Sequence, residues 1–288
     1  MTPRAALARF RHNHAAFLGA ALVLLLVLLA VAGPWLIGLD PNKSDFTHGR
    51  SGIGLPAPPS AYHLLGTDTL YRDVASRLVH GARISLLIAL LATFVATGIG
   101  AVVGLVAGYC ANTRAWLLDT LLMRIVDAGL SFPYLLLVMA LSAALDRTDA
   151  TAIVVVLGIT GWLGTSRVVR AKTIQLRDLD FVVASRALGQ GSLRILLRHI
   201  LPNVAGPIIV TSTSSVASMI LAESVLGYLS LGLQPPTASW GRMLRDGQTF
   251  LTADPRLVAV PGIAILTAVL AFNLLGEGLR DALDPRTT

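Results

Sequence analysis

Six long apolar blocks alternate with shorter polar stretches along the chain. The blocks run approximately over 15–37, 84–109, 128–145, 152–169, 204–231 and 257–276. A helix needs about 20 apolar residues to cross a hydrocarbon core of about 30 Å, and each block reaches or approaches that length. Since a chain inside lipid must satisfy its backbone hydrogen bonds internally, helices are the expected elements. The pattern predicts an all-α polytopic membrane protein with six transmembrane helices.

The same pattern divides the chain into three parts. An N-terminal flank and the first span occupy 1–37, an extracytoplasmic loop occupies 38–83, and a helical core occupies 84–288. The loop is rich in proline and glycine, which favours irregular structure until a short amphipathic helix near 73–78. The first block contains Ala30-Val31-Ala32, which mimics a signal cleavage site. Its apolar run is longer than the signal-peptide core of about 7–15 residues, so a retained first span is favoured.

Composition supports a membrane protein and restricts its partners. Hydrophobic residues make up 54% of the chain and charged residues only 14%, whereas soluble domains have about 25% charged residues. The net charge is +7. If the N-terminus is cytoplasmic, the cytoplasmic stretches hold 14 of the 23 basic residues, which predicts that both termini are cytoplasmic. No basic tract is interleaved with aromatic residues, so nucleic acid is not an expected partner.

The sequence lacks the motifs of catalysis, nucleotide binding and metal binding. The best match to a phosphate-binding loop precedes Lys172-Thr173, and it has Ser166 and Ala171 where glycines are required. Cys110 is the only cysteine, and the six histidines lack the helical spacing of a metal site. We expect no catalytic residue, no metal ion and no cofactor bound by this chain.

Small and ionisable residues within the blocks indicate helix contacts. Gly100, Gly104 and Gly108 recur every four residues on one face of the second block, where they would let a neighbouring helix approach closely. A pore-lining role for these glycines is the less favoured alternative. Glu223 lies within the fifth block, where a carboxylate is costly. It is expected either to face a polar cavity or a partner helix, or to approach the outer interface.

Three charged residues near the start of the third block form a second candidate cluster. Asp119, Arg124 and Asp127 are expected to make an interfacial network at the cytoplasmic end of this span. A proton relay would need more ionisable groups, connected across the membrane.

A basic segment between the fourth and fifth blocks is the strongest candidate for function. Residues 167–198 contain seven basic and two acidic residues. The apolar sides of two short helices would be formed by Phe181, Ala184, Leu188, Ile195 and Leu196. Gly189-Gln190-Gly191 would break the two helices, and Pro202 would end the second one or begin the next span. The chemistry leaves two interpretations open, a loop at the lipid surface or an element that docks in a groove of another protein.

The same segment resembles the EAA loop of ABC importer permeases, which reads EAA, three residues, Gly, about nine residues and I-x-LP. Val183 stands where the loop has its glutamate, and ten residues separate Gly189 from Ile200. The resemblance implies that residues 170–203, approximately, form coupling helices seated in a cleft of a cytoplasmic ATPase. The residues that it assigns to this coupling loop are Ala184, Ser185, Arg186, Ala187, Leu188, Gly189, Arg194, Arg198, Ile200, Leu201 and Pro202.

Further blocks resemble the C-type permease of dipeptide, oligopeptide and nickel importers. Gly66-Thr67-Asp68, Arg72-Asp73-Val74 and Ser76-Arg77 are similar to its GTDxxGRDVxSR signature, with Tyr71 in the place of a glycine. Similar blocks follow at 81–86, 232–236, 239–241 and 273–281. The resemblance implies a five-span permease core preceded by one added span. It also implies a second homologous permease, two ABC ATPase subunits that bind ATP and Mg²⁺, and an extracytoplasmic solute-binding protein.

The expected function is that of a permease subunit in an ATP-driven importer of the bacterial cytoplasmic membrane. The solute would be a dipeptide, an oligopeptide or a related small solute such as a nickel chelate. An ion-gradient-driven secondary transporter or channel is the main alternative, and it would need paired intramembrane acids or broken inverted repeats. A membrane-embedded enzyme is disfavoured by the missing motifs.

Overall fold

The computed structural model describes residues 13–52, 54–145 and 149–283, and these residues form a bundle of helices without a β-strand. The helices are α1 (His14–Ile37), α2 (Val74–Cys110), α3 (Trp116–Ser131), α4 (Tyr134–Leu145), α5 (Ala150–Arg177), α6 (Asp180–Ala187), α7 (Ser192–Ile195), α8 (Leu201–Tyr228), α9 (Trp240–Gln248) and α10 (Arg256–Leu283). Within the described residues, five helical stretches are long and apolar enough to cross a membrane, and the bent pair α3–α4 makes a sixth. The prediction of an all-α fold with six spans is confirmed.

The predicted orientation depends partly on residues outside the described part of the chain. Arg4, Arg9 and Arg11 lie in residues 1–12, and Arg286 lies in residues 284–288. The cytoplasmic position of both termini therefore stays a prediction.

The second span begins earlier than the apolar block indicates. The Asp73 carboxylate accepts a hydrogen bond from the Ser76 backbone N–H at 2.6 Å, which caps the first turn of α2. The short helix expected near 73–78 is therefore the start of α2. The irregular loop 38–73, which was predicted to be extracytoplasmic, contains only isolated bridges such as Thr67 with Asp73 among its described residues.

The third span is broken rather than continuous. α3 and α4 meet at an angle of 92°, and Phe132 between them has an extended backbone. Pro133 has no backbone N–H to continue α3, and its ring disfavours a helical conformation at the residue before it. This bend replaces the single helix expected over 128–145.

The bundle is organised around the contact between α2 and α5. A Cβ atom added to Gly104 would lie 2.6 Å from the Ser166 carbonyl oxygen, and one added to Gly108 would lie 2.6 Å from the Thr173 Cβ. Gly100 faces α5 in the same way, near Thr165. The glycine face of α2 thus lies directly on α5. The main core, between α2, α5, α8 and α10, contains the fully buried Ala89, Leu157, Ile220 and Ala268.

Adding one methyl group at this contact should weaken the bundle. We expect Gly104→Ala to destabilise the protein by about 1–3 kcal/mol, the usual effect of overpacking, because the nearest obstacle is backbone. Gly98→Ala is the matched control, since Gly98 lies on α2 with open space around it. Alanine also forms helices better than glycine by about 1 kcal/mol. Thermal unfolding of the two purified variants in detergent would test this, and equal midpoints would contradict the close contact.

Candidate functional site

The basic segment after α5 folds into two short helices joined by a tight glycine turn. Gly189 has φ +78°, the left-handed region that glycine adopts without steric cost. The Gln190 backbone N–H donates to the Ser185 carbonyl oxygen at 3.2 Å and closes the turn. α7 then continues through a π-helical turn, Leu196–Ile200, into α8. The expected helix–turn–helix shape is present.

Pro202 does not end the second short helix. It is the second residue of α8, and the helical run from α7 through the π-helical turn into α8 is continuous from Ser192 to Tyr228. Pro202 therefore lies within this run, close to the π-helical turn.

One side of this segment is fixed to the ends of α2 and α5. Val182, Ile195 and Ile200 are fully buried, and they pack in a small second core with Leu105 of α2 and Leu176 of α5. Ile195 was expected on the apolar side of the second short helix, and its side chain faces the second core, with Leu196 packed against it. The segment is therefore an ordered extension of the bundle and not a free loop.

The opposite side carries large apolar side chains that project outward. Leu188 is 82% exposed and Leu193 is 70% exposed, and Val183 and Leu197 are also exposed. We call these four residues the apolar ridge. The coupling-loop residues exposed beside the ridge are Ala184, Arg186, Ala187, Gly189, Arg194, Arg198 and Pro202. Apolar residues clustered on a surface rimmed by polar groups mark an interaction site.

The remaining coupling-loop residues hold the segment together from within. Ser185 is buried, and its hydroxyl donates to the Phe181 carbonyl oxygen at 2.7 Å. His199 Nε2 lies 3.2 Å from Gln190 Oε1 and 3.5 Å from Ser185 Oγ. Ile200 is buried and Leu201 is half-buried. These residues position the ridge rather than form part of it.

Arg177 is a positioning residue that the sequence reasoning counted only as a positive charge. Its buried Nη1 donates to the carbonyl oxygens of Gly108 and Tyr109 at 3.3 and 3.1 Å, and to that of Ala111. These carbonyls end α2 and have no partner within the helix. Arg186 lies over the Tyr109 ring, with Cζ 5.7 Å from the ring centroid. The end of α2 is thus tied both to α5 and to the segment with the ridge.

Two ion pairs tie α3 to α5. Arg170 Nε lies 2.6 Å from Asp119 Oδ1, and Arg170 Nη2 lies 2.7 Å from Asp119 Oδ2, so this pair is bidentate. Arg167 Nη2 lies 2.6 Å from Asp127 Oδ1. The prediction of a network among Asp119, Arg124 and Asp127 is wrong, because both aspartates pair with arginines of α5. Spacing along one helix did not indicate these partners.

Glu223 is fully enclosed within the chain. The hydroxyl groups of Ser85, Ser224 and Ser239 lie around its carboxylate, although none meets the geometry of a hydrogen bond among the residues described. The hydroxyl oxygens of Ser85 and Ser239 accept hydrogen bonds from the backbone N–H groups of Trp240 and Arg242. The hydroxyl protons of both serines are therefore free to point toward the Glu223 carboxylate. The surroundings are polar, as one alternative expected. The proposed contact with a partner helix is corrected, since the side chain has no exposed surface.

Charged residues of the loop 38–73 hold that loop on α9. Arg72 Nη2 lies 2.7 Å from Asp68 Oδ2 and 3.4 Å from Asp246 Oδ2 of α9. Arg77 Nε lies 3.3 Å from the same Asp68 oxygen, and its side chain is buried. The signature-like residues at 66–77 thus form a buried ion-pair network rather than an exposed binding patch.

A second contact in the loop places His63 between two carboxylates. His63 Nδ1 lies 2.9 Å from Asp73 Oδ2, and Nε2 lies 3.4 Å from Asp45 Oδ2. A hydrogen bond from the His48 backbone N–H is the main cause that lowers the pKa of Asp45 to about 2. Asp45 therefore remains ionised near His63 at the pH of any ordinary medium.

The long apolar helices and the ordered segment with its apolar ridge define a polytopic membrane protein with a surface suited to another protein. Residues 100–288 match the family described as binding-protein-dependent transport system inner membrane component. Residues 4–59 match the N-terminal transmembrane domain of oligopeptide transport permease C. The chain therefore belongs to the family of binding-protein-dependent transport system inner membrane components.

Individual relatives match over nearly the whole chain. The di/tripeptide transport system permease protein DppC of Pseudomonas aeruginosa is 40% identical, over 96% of this chain and 90% of its own length. The oligopeptide transport system permease protein OppC of Bacillus subtilis is 37% identical, over 98% and 88%. The glutathione transport system permease protein GsiD of Escherichia coli is 39% identical, over 96% and 88%.

A solved structure shows the same fold at lower sequence identity. The inward-facing MetNI methionine ABC transporter contains a chain that matches with a TM-score of 0.58 and 17% identity. The match covers 72% of this chain and 97% of that chain. It supports the helical architecture alone.

Removing the buried guanidinium of Arg177 should destabilise the junction between α2 and α5. Arg177→Met leaves three carbonyl groups without their donor, and hydrogen bonds from charged groups contribute about 1.5–3 kcal/mol each. Arg167→Met is the matched control, because that ion pair is half-exposed and such pairs contribute about 0–1 kcal/mol. Thermal unfolding of both purified variants is the measurement. If Arg167→Met lowered the unfolding temperature as much as Arg177→Met does, the role of Arg177 in capping α2 would be refuted.

Proposed function

We propose that this chain is the permease subunit of an ATP-driven importer of short peptides in the bacterial cytoplasmic membrane. The observation that carries the proposal is the apolar ridge, which is displayed on an ordered helix–turn–helix at one end of the bundle. Leu188 and Leu193 form part of an exposed apolar surface of the kind that marks a contact with another protein. The surrounding arginines suit a partner surface with acidic groups.

The implied complex contains a second homologous permease, two ABC ATPase subunits and an extracytoplasmic solute-binding protein. The ATPases would bind ATP and Mg²⁺, and this chain would supply no catalytic group. The ridge and both termini would then lie on the cytoplasmic side, and membrane lipid would cover the outer faces of the bundle.

Closure of the ATPases would move tightly packed helices of the bundle together as rigid units. The ridge moves with the ATPase groove, and the second core fixes the ridge to α2 and α5. Arg177 and the glycine face prevent α2 from separating from α5, while Arg170 and Asp119 carry α3 along. Closure of the ATPases thus shifts several spans together, and the two states differ through their contacts with the partners.

The names of the relatives favour peptides as the solute. They refer to di/tripeptides, oligopeptides and glutathione, whose shared feature is the peptide backbone. The enclosed position of Glu223 argues against the form of the ion-coupled alternative that uses paired intramembrane acids.

The proposal is tested by reconstituting the chain with its genomically neighbouring permease, ATPases and binding protein in liposomes. We expect uptake of a radiolabelled dipeptide that requires both ATP and the binding protein. ATPase stimulation without dipeptide uptake would retain the importer and redirect the solute to longer peptides or metal chelates. Uptake that continues without the ATPase subunits would overturn the proposal.

The glycine turn offers a specific test of coupling. Gly189→Val forces a branched side chain into the left-handed region at a penalty of about 1–2 kcal/mol, which should distort the ridge and reduce peptide uptake relative to ATP hydrolysis. Gly191→Val is the matched control, because Gly191 has φ −67° and equally open surroundings. Uptake per ATP hydrolysed should fall for Gly189→Val alone, and Gly189→Asn should restore part of it. Unchanged coupling in a fully assembled Gly189→Val complex would contradict this role.

A further inference from the structure

The break between α3 and α4 exposes irregular backbone on the side of the bundle. Ser131, Phe132 and Pro133 are all exposed, and Phe132 is 62% exposed. The last carbonyl groups of α3 and the first N–H groups of α4 have no partners within their helices. Such backbone is tolerated at membrane depth only where protein buries it or where it lines a water-filled cavity. If the pair α3–α4 crosses the membrane as one broken span, protein or water and not lipid adjoins this break.

The break lies beside the middle of α5 and close to α8. A Cβ atom added to Gly129 would lie 2.6 Å from a methyl carbon of Leu163, and the Tyr134 hydroxyl lies 3.5 Å from Met219 Sδ. Leu163 stands about 20 Å along the axis of α5 from either end, at 1.5 Å per residue. The break thus lies beside the central turns of α5 and α8.

A cavity of about 260 Å³ opens beside the break. Its polar lining consists of hydroxyl groups from Tyr134, Thr160, Ser215 and Ser218. The Thr160 and Ser215 hydroxyls donate to the carbonyl oxygens of Val156 and Thr211 at 2.8 Å each. Their oxygens therefore remain available to accept hydrogen bonds. No carboxylate, ammonium or guanidinium group occurs among the lining residues in the described part of the chain.

We propose that this cavity is this chain's part of the peptide passage, and that Ser215 and Ser218 contact the peptide backbone within it. This inference rests on the proposed function. The volume falls below the range of about 300–1,000 Å³ that is usual for a complete small-molecule site, as expected if another subunit supplies the remaining wall. Hydroxyl oxygens accept the N–H groups that all peptides share, so the lining selects peptides by size and not by side-chain charge.

Labelling of an introduced cysteine by a water-soluble reagent tests whether the cavity is open to water. This test does not require a transported peptide. In the assembled transporter with Cys110→Ala, we would compare Ser218→Cys with Leu266→Cys, whose site on α10 is 66% exposed along an apolar surface. A membrane-impermeant thiol reagent should label Ser218→Cys and leave Leu266→Cys unlabelled. Absence of labelling at Ser218→Cys, in both the resting and the ATP-cycling complex, would overturn the inference. It would show that a partner helix fills the cavity, and the importer itself would be unaffected.

Selection of peptides by size is tested by comparing the uptake of a large peptide with that of a small one. Ser218→Trp should reduce uptake of a bulky tripeptide by about tenfold or more relative to diglycine, a discrimination that pocket shape can supply. Ser218→Ala should leave the ratio of the two uptakes unchanged. Leu266→Ala, at an exposed apolar site outside the cavity lining, is the control for transport and for ATP hydrolysis stimulated by the binding protein. Equal uptake ratios in Ser218→Trp and wild type would refute the role of Ser218. A wild-type complex that transports neither peptide would instead refute the proposed function.

Discussion

The close approach of α2 and α5 is the constraint on which the rest of the structure depends. Lipid provides no hydrophobic force that drives helices together, so their association depends on direct packing. Gly100, Gly104 and Gly108 remove the side chains that would separate the two backbones. Only at this separation can Arg177, at the end of α5, reach the carbonyl groups that end α2. The glycine face therefore determines the position of the segment that follows Arg177.

The two ends of this helix pair are fixed in different ways. At one end, the second core and the ion pair of Arg170 with Asp119 join the segment and α3 to α5. At the other end, Arg72 and Arg77 hold the loop 38–73 on α9 through Asp68 and Asp246. Buried charges are stable there because each has an opposite charge close by. Between these ends, the break at Phe132 and Pro133 interrupts the regular helix of the third span.

The sequence predicted well those features that depend on local chemistry. Apolar length located the spans, and Gly189 with its neighbours located the turn, because both signals lie within a few residues. Contacts between distant residues were not predictable in the same way. The partner of Asp119 is Arg170, 51 positions away, and Ile195 faces inward because α2 and α5 supply a second core. The bend at Pro133 had a local signal, yet the apolar run continued on both sides of it and favoured one helix.

The position of Glu223 argues against one form of ion-coupled transporter, in which paired intramembrane acids carry the ion. Glu223 lies five residues beyond Ser218 on α8 and is enclosed by serine hydroxyls, so it does not line the cavity. The lining residues that the structure describes contain no other acid. The other form uses broken inverted repeats whose backbone carbonyls hold the ion, and it does not account for the apolar ridge. The ridge is ordered, exposed and joined through α5 to the spans that border the cavity, which suits it to transmit movement from a partner protein.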